Sequence, residues 1–137
     1  MKGLFKVSSV EETWEVARKF ASGLKGAEII ALEGDLGAGK TTFTQGLAAA
    51  LGAKSAVSSP TFCIVQEHPE AKLVHLDLYR LSGEDDVIAV GWEDFIDRGD
   101  TIVVEWPERA GSLIPDSAIR VCFRHGAGEE EREIEIK

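Results

Sequence analysis

The sequence has little of two features that would each indicate a particular class of protein. It has 15 lysines and arginines against 24 aspartates and glutamates, which gives a formal net charge of −9. A protein that holds nucleic acid by its own electrostatic field needs clustered basic residues, so this balance argues against such a protein. Its two cysteines, Cys63 and Cys122, lie far apart and lack the spacing of metal ligands. Free thiols of this kind are common in reducing compartments.

Long hydrophobic runs are also missing. No stretch approaches the roughly 20 apolar residues of a membrane span, and the N-terminal segment MKGLFKVSSVEE has no apolar core of signal-peptide length. We therefore expect a cytoplasmic protein without membrane attachment. The length of 137 residues suits one globular domain with one core, so we expect residues 1–137 to form a single domain.

Hydrophobic periodicity predicts alternating helices and strands. A helix capped by Ser9 in a capping box with Glu12 is expected at residues 10–24, with Gly26 as its stop. Trp14 and Trp92 are expected in the core. Further helices are predicted at 41–51, 84–90 and 92–96, and strands at 28–33, 62–66, 73–78, 101–104, 118–124 and 130–136. This order predicts an α/β domain: a mostly parallel twisted sheet flanked by helices, with a C-terminal antiparallel hairpin.

One motif predicts a phosphate-binding loop. The segment between the first predicted strand and the second helix fits the pattern G-x-x-x-x-G-K-[ST] of P-loop nucleoside triphosphatases. Its glycines let backbone N–H groups face one concavity, and the following helix directs the positive end of its dipole there. Lys40 would reach the β- and γ-phosphates, Thr41 would ligate Mg²⁺ and Thr42 would meet the α-phosphate. The predicted loop contacts are Gly34, Asp35, Leu36, Gly37, Ala38, Gly39, Lys40, Thr41 and Thr42.

Acidic residues at the ends of two predicted strands could complete this site. Asp77 follows an apolar run at 73–76 and Glu105 follows another at 102–104. Ligands bind at the carboxyl edge of open α/β sheets. We predict that Asp77 helps to hold Mg²⁺, and that Glu105 orients the attacking water and is a second candidate metal ligand. For each residue, the alternative is a surface acid that ends a strand.

Three further positions are open to more than one interpretation. Thr61, in the Ser-Pro-Thr-Phe loop, could sense the γ-phosphate and its metal as a switch residue, or be an ordinary turn threonine. Trp106 could pack over the site or simply be buried. His75 lies within a predicted strand, and we expect it to be packed or exposed rather than catalytic.

The absence of asparagine narrows the choice of nucleotide. The chain contains none, so the N-K-x-D type of guanine reader cannot be present, and no D-x-x-G switch follows the loop. A regulatory GTPase is therefore disfavoured, and ATP is the expected nucleotide.

Four motifs in chain order resemble one known family. They are GDLGAGKTT at 34–42, SPTF at 59–62, HLDLYR at 75–80 and VEWPE at 104–108. In this combination the chain resembles the bacterial TsaE (formerly YjeE) ATPases of tRNA threonylcarbamoyladenosine biosynthesis, from about residue 8 to about residue 124. The resemblance places Lys40, Thr41, Thr61, Asp77 and Glu105 on the family's motif positions.

The resemblance also implies a role that depends on partners. Members of the family bind a complex of TsaB and TsaD, the subunit that transfers the threonylcarbamoyl group to tRNA, and use ATP hydrolysis to sustain its turnover. Weak intrinsic ATPase activity is expected without that complex, and tRNA would be reached only through it. The net charge of −9 agrees with such an indirect role.

Two other functions share a phosphate loop. A small P-loop kinase would add an acceptor pocket and an arginine-rich lid, but no arginine cluster follows the predicted core and the C-terminal hairpin leaves little chain for a lid. A nucleotide-controlled binding module, in which hydrolysis only times the release of a partner, overlaps with the ATPase interpretation. The sequence leaves open whether hydrolysis does work or sets timing.

Overall fold

The structure is a seven-stranded sheet with helices packed against it, in the part of the chain that it describes. It is a computed structural model that describes residues 1–35, 37–54 and 64–137, so the predictions for Leu36 and Thr61 lie outside the described residues. The strands are β1 (Gly3–Val7), β2 (Ile29–Gly34), β3 (Val65–His68), β4 (Leu73–Asp77), β5 (Thr101–Glu105), β6 (Ile119–His125) and β7 (Arg132–Ile136). The helices are α1 (Val10–Ser22), α2 (Lys40–Ala50), α3 (Glu84–Ala89) and α4 (Trp92–Arg98), with 3₁₀ segments at Pro69–Ala71 and Pro107–Leu113. None of the described helices is long and apolar enough to cross a bilayer.

The strand order is β1-β7-β6-β2-β5-β4-β3. The four central strands, β6, β2, β5 and β4, run parallel to one another, whereas β1, β7 and β3 are antiparallel to the strands beside them. The predicted mostly parallel sheet and its C-terminal antiparallel hairpin are confirmed. Because parallel strands end at the same edge of a sheet, the carboxyl ends of β2, β5 and β4 lie side by side.

The central strands contribute to two apolar clusters, one on each face of the sheet. On β5, Val103 belongs to the cluster that contains α1 and α2, whereas Ile102 and Val104 belong to the cluster that contains α3 and α4. Successive side chains of a strand point to opposite faces. The middle of the sheet is therefore covered on both sides, as parallel sheets usually are.

Strand β1 was not predicted from the sequence. Its residues pair with β7 from Gly3↔Ile136 to Val7↔Arg132, and Val7 is its one buried residue. An edge strand with so little burial carries almost no hydrophobic pattern. Pairing with the far end of the chain makes this segment a strand.

Helix α1 begins at Val10 as predicted, but its capping box and its end differ from the prediction. Ser9 accepts the predicted capping bond from the Glu12 N–H at 3.1 Å. The Glu12 carboxylate accepts its return bond from the N–H of Ser8 at 2.7 Å, not from that of Ser9. The helix ends at Ser22 with Gly23 as its C-cap, so Gly26 as the predicted stop was wrong. Gly23 is the first glycine after the helical run, and glycine is poorly tolerated in a helix interior.

Of the two tryptophans predicted in the core, only Trp92 is buried. Trp14 is 43% exposed, so that prediction was wrong. It lies at the crossing of α1 and α2, where a Cβ added to Gly46 would be 3.0 Å from the Trp14 Cδ1. Trp14 therefore packs on the backbone of α2 at the surface.

The β3–β4 hairpin forms with a shifted first strand. The prediction of 62–66 lies partly outside the described residues, and β3 continues to His68, which pairs with Leu73. The 3₁₀ segment Pro69–Ala71 joins the two strands. The extension beyond residue 66 reflects pairing with β4, which the local pattern does not show.

Candidate functional site

The glycine-rich loop, residues 34–41, joins the carboxyl end of β2 to the first turn of α2. A Cβ at Gly34 would lie 2.6 Å from the carbonyl oxygen of Phe123 on β6, and the φ of Gly34 is +147°. Only glycine fits there. Gly39 has a left-handed φ of 107° and turns the chain into α2. The backbone itself thus requires the first and last glycines of the motif.

The first turn of α2 is open to an anion. No side chain caps the helix at Gly39, and its first turn holds no acidic residue. Lys40 is buried, and its Nζ donates to the carbonyl oxygen of Gly34 at 2.7 Å. Unpaired N–H groups, the helix dipole and an ammonium therefore converge at one place. This set of donors fits phosphate oxygens.

A cavity of about 250 Å³ lies beside the loop. Gly34, Asp35 and Lys40 line it from the loop, and Trp106 and Glu108 line it from the segment after β5. Two motifs that are far apart in the sequence therefore form one cavity.

Trp106 covers the lysine. Its ring centroid lies 4.5 Å from the Lys40 Nζ, which is a cation–π distance. The Tyr79 ring packs on Trp106 with centroids 5.0 Å apart. The Trp106 backbone is left-handed, at φ 58° and ψ 53°, which is unusual for a bulky residue and typical of functional sites. Of the two interpretations of Trp106, the structure supports packing over the site.

Asp77 and Glu105 end neighbouring parallel strands and are partners in the register of the sheet. The Tyr79 backbone N–H donates to Oδ1 of Asp77 at 2.9 Å. Burial raises the pKa of Asp77, the bond from Tyr79 opposes this, and the negative charge of Glu105 raises the pKa further. The fold by itself therefore disfavours the ionised form of Asp77, so a cation at this point would be favourable.

Glu105 is almost completely buried, and its Oε2 lies 2.6 Å from Nε2 of His75. From the sequence, His75 is expected to be packed or exposed, with no part in the site. It is packed, and it contacts the carboxylate predicted to orient water. A signal was available, because His75 and Asp77 are two residues apart on one strand and so face the same side.

The donor groups at this edge of the sheet suit Mg²⁺. Within residues 1–35, 37–54 and 64–137, no group of three or more His, Cys, Asp or Glu side chains is arranged to hold a metal ion. Mg²⁺ commonly takes one or two protein carboxylates together with substrate phosphates and water. The Thr41 hydroxyl in the first turn of α2 and the carboxylates of Asp77 and Glu105 are donors of the required kind.

The other described residues at this loop differ in exposure. Asp35 and Gly37 are exposed, Ala38 is buried and Thr42 is half-buried. The Ala38 N–H donates to the Asp35 carbonyl oxygen at 3.1 Å, which closes a turn within the loop.

Arg132 on β7 is a contact that the sequence analysis missed. Its Nε donates to the carbonyl oxygen of Gly37 at 3.3 Å. A second cavity, of about 380 Å³, lies beside it, with Ser8, Glu12 and Gly126 also in its lining. No local pattern points to this contact, because the pairing of β7 with β6 brings Arg132 to the loop.

Comparison with known proteins identifies a family for this chain. The sequence model of a family described as "Threonylcarbamoyl adenosine biosynthesis protein TsaE" matches residues 7–134. The chain belongs to the TsaE family. Members of this family are proteins of tRNA threonylcarbamoyladenosine biosynthesis.

Individual relatives are similar over most of their length. The TsaE protein of Bacillus subtilis is 38% identical over 126 residues, which cover 90% of this chain and 78% of the relative. The TsaE protein of Aquifex aeolicus is 47% identical over 107 residues, covering 75% of each. The crystal structure of YdiB from Bacillus subtilis superposes with a TM-score of 0.82 at 31% identity, covering 99% of this chain and 84% of the other.

Proposed function

We propose that this protein is a Mg²⁺-dependent ATPase that sustains the turnover of the TsaD–TsaB complex in tRNA threonylcarbamoyladenosine biosynthesis. The main support is the convergence on one cavity of the glycine-rich loop, the buried Lys40 and the segment that follows Glu105. Membership of the TsaE family supports the pathway. The proposal assigns the nucleotide, the reaction and the partners.

The loop and its lysine would bind the phosphates. Lys40 donates to a backbone carbonyl in this structure, and a γ-phosphate offers the ammonium a charged acceptor instead. The open N–H groups of the first turn of α2 would bind the phosphate oxygens next to it. Thr41 and Asp77 would hold Mg²⁺, which supplies charge neutralisation on the transferring phosphoryl group.

Glu105 would place the nucleophile. Its carboxylate would orient a water molecule for in-line attack on the γ-phosphorus. The bond between water oxygen and phosphorus forms as the bridging bond to ADP breaks, and Lys40 stabilises the negative charge that develops. Because Asp77 and Glu105 are register partners, the metal and the attacking water would lie side by side.

The nucleoside end of ATP would extend toward β7. If the γ-phosphate faces Asp77 and Glu105, the opposite end of the nucleotide points away from β5 and β4. The cavity beside Arg132 lies on that side and is large enough for a small ligand. The lack of asparagine throughout the chain supports adenine over guanine.

The family and the net charge both support these partners. A net charge of −9 disfavours direct binding of tRNA, so tRNA would be reached through TsaD and TsaB in the cytoplasm. Binding of that complex would raise a weak intrinsic hydrolysis rate.

The test is multiple-turnover threonylcarbamoylation of tRNA by TsaD and TsaB supplied with the threonylcarbamoyl-adenylate donor. Wild-type protein, Lys40→Ala and Lys19→Ala, which removes an exposed lysine of α1, are compared, with ATP hydrolysis measured in parallel. Lys40→Ala is expected to lower hydrolysis about 100-fold, because it removes a charged donor to the transferring group, and to stop sustained turnover. Lys19→Ala should behave as wild type.

Either of two results would contradict the proposal. Equal turnover with wild type, with Lys40→Ala and without the protein would show that the reaction does not depend on this ATPase. Equal hydrolysis by Lys40→Ala and Lys19→Ala would show that the loop is not the site of hydrolysis.

A further inference from the structure

A buried histidine contacts the acidic residue that the proposed function assigns to water. His75 on β4 is completely buried, and its Nε2 lies 2.6 Å from Oε2 of Glu105. Its other ring nitrogen, Nδ1, has no hydrogen-bond partner among the described residues. Buried polar atoms are nearly always paired, so a histidine held through one nitrogen only calls for an explanation.

The surroundings of the two ring nitrogens determine which of them carries the hydrogen. A hydrogen on Nδ1 would leave a buried N–H without an acceptor and would direct the lone pair of Nε2 at an oxygen of Glu105. A hydrogen on Nε2 turns the short contact into a charge-assisted hydrogen bond. His75 is therefore the donor, and Oε2 of Glu105 is the acceptor.

The sheet fixes the direction of this bond. His75 is in register with Val103, and Glu105 lies two residues further along β5, on the same face and nearer the carboxyl edge. The histidine thus reaches the carboxylate from the core side. It binds one oxygen there, while no hydrogen bond from the described residues binds the other, Oε1.

We propose that His75 is a positioning residue for ATP hydrolysis, which holds the Glu105 carboxylate so that Oε1 faces the attacking water. This inference rests on the proposed function. A glutamate side chain has several rotatable bonds, and a water-orienting group must keep its geometry within a fraction of an ångström. One rigid imidazole in the dry core supplies that restraint without touching the nucleotide.

The alternative is that His75 only stabilises the fold by pairing a buried carboxylate. Both roles predict some loss of stability on substitution. The test therefore needs a measurement that does not depend on the stability of the fold. The rate of hydrolysis at saturating ATP, set against the affinity for ATP, is such a readout. A positioning residue changes the rate and leaves the affinity nearly unchanged.

The first comparison uses two amide variants. In His75→Gln the side-chain N–H₂ can occupy the position of Nε2, whereas in His75→Asn it is one bond too short. Both place a neutral amide in the same buried position, and the thermal midpoint reports how much each substitution affects folding. Single-turnover hydrolysis of ATP by each variant with the TsaD–TsaB complex is measured, together with the dissociation constant for ATP and the thermal midpoint.

His75→Gln is expected to retain most of the wild-type rate. His75→Asn is expected to lose about 10- to 100-fold, the range for a catalytic group displaced by about 1 Å, with an ATP affinity within about twofold of wild type. Equal rates for the two variants would overturn the positioning role. So would a loss in His75→Asn that appears in the affinity instead of the rate.

A double-mutant cycle gives the second comparison. His75→Asn is combined with Glu105→Ala, and its effect on the residual rate is measured in that background. If His75 acts through Glu105, the substitution causes no further loss there. A loss of the same factor in both backgrounds would show that His75 acts independently and would overturn the inference.

The hydrolysis rate of the wild-type protein distinguishes failure of this inference from failure of the proposed function on which it rests. If wild type hydrolyses no ATP with the complex, both fail. If wild type is active and the histidine variants match it, the positioning role alone fails.

Discussion

At the scale of single residues, the ionised carboxyl of Asp77 lowers the stability of the fold. Burial and the neighbouring Glu105 raise the pKa of this carboxyl, although the N–H of Tyr79 donates to it. A raised folded-state pKa means that the folded protein binds the proton more tightly than the unfolded chain does. The resulting stability is fully present below the ordinary pKa of aspartic acid and is lost as pH rises through the raised pKa.

We therefore predict that Asp77→Asn gains stability over wild type as pH rises through that window. Asparagine keeps an oxygen for the Tyr79 N–H and removes the charge. The gain at neutral pH should be about 1 kcal/mol or less, since solvent screens a half-buried group. Urea unfolding without metal or nucleotide, at pH values from acid to neutral, measures it. The exposed Asp97→Asn serves as control, and a difference that is flat with pH would contradict the prediction.

At the scale of elements, the crossing of α1 and α2 depends on one glycine. A Cβ at Gly46 would lie 3.0 Å from both the Ala17 Cβ and the Trp14 Cδ1. Glycine is about 1 kcal/mol worse than alanine inside a helix, so its presence here reflects the close approach of the two helices. Because α2 carries Lys40 and Thr41 at its first turn, this crossing also positions the site.

Gly46→Val is predicted to lower the free energy of unfolding by about 1–3 kcal/mol, the usual cost of overpacking. Ala49→Val, at an exposed position of the same helix, should cost less than about 0.7 kcal/mol, since only helix propensity changes. Chemical unfolding of the two variants and wild type measures the difference. Equal losses would show that the helix contact tolerates a larger residue.

At the scale of the whole molecule, ligand binding and stability are linked. A ligand that binds only the folded state stabilises it in proportion to the logarithm of its concentration, by about 2.7 kcal/mol at 100 times its dissociation constant. Elements from both ends of the chain line the proposed nucleotide site, from Ser8 to Arg132, so a bound nucleotide would stabilise the sheet across most of its strands.

ATP with Mg²⁺ is therefore predicted to raise the thermal midpoint progressively with ligand concentration. Lys40→Ala should show a much smaller rise, and removal of Mg²⁺ with a chelator should reduce the rise for wild type. Thermal unfolding at several ATP concentrations measures this. The same rise in wild type and Lys40→Ala would place nucleotide binding outside the glycine-rich loop.

Local features of the sequence were enough to predict the central elements and most of the candidate site. The strand–loop–helix around Lys40 follows from short-range geometry, since Gly34 and Gly39 both have the positive φ angles that glycine readily adopts. The strands ending at Asp77 and Glu105 were predicted because buried parallel strands are short, continuous apolar runs. These predictions hold because each depends on residues close together in the chain.

Long-range strand pairing determined the features that local sequence patterns did not predict. β1 is a strand because it pairs with β7, and Arg132 reaches the loop because β7 pairs with β6. His75 binds Glu105 across 30 residues because β4 lies next to β5. The sequence by itself thus determined the glycine-rich loop with Lys40 and the two carboxylates that end β4 and β5. Only the tertiary structure decided which side chains of the site contact each other. Side-chain contacts between strands depend on strand order, and no local sequence pattern indicates that order.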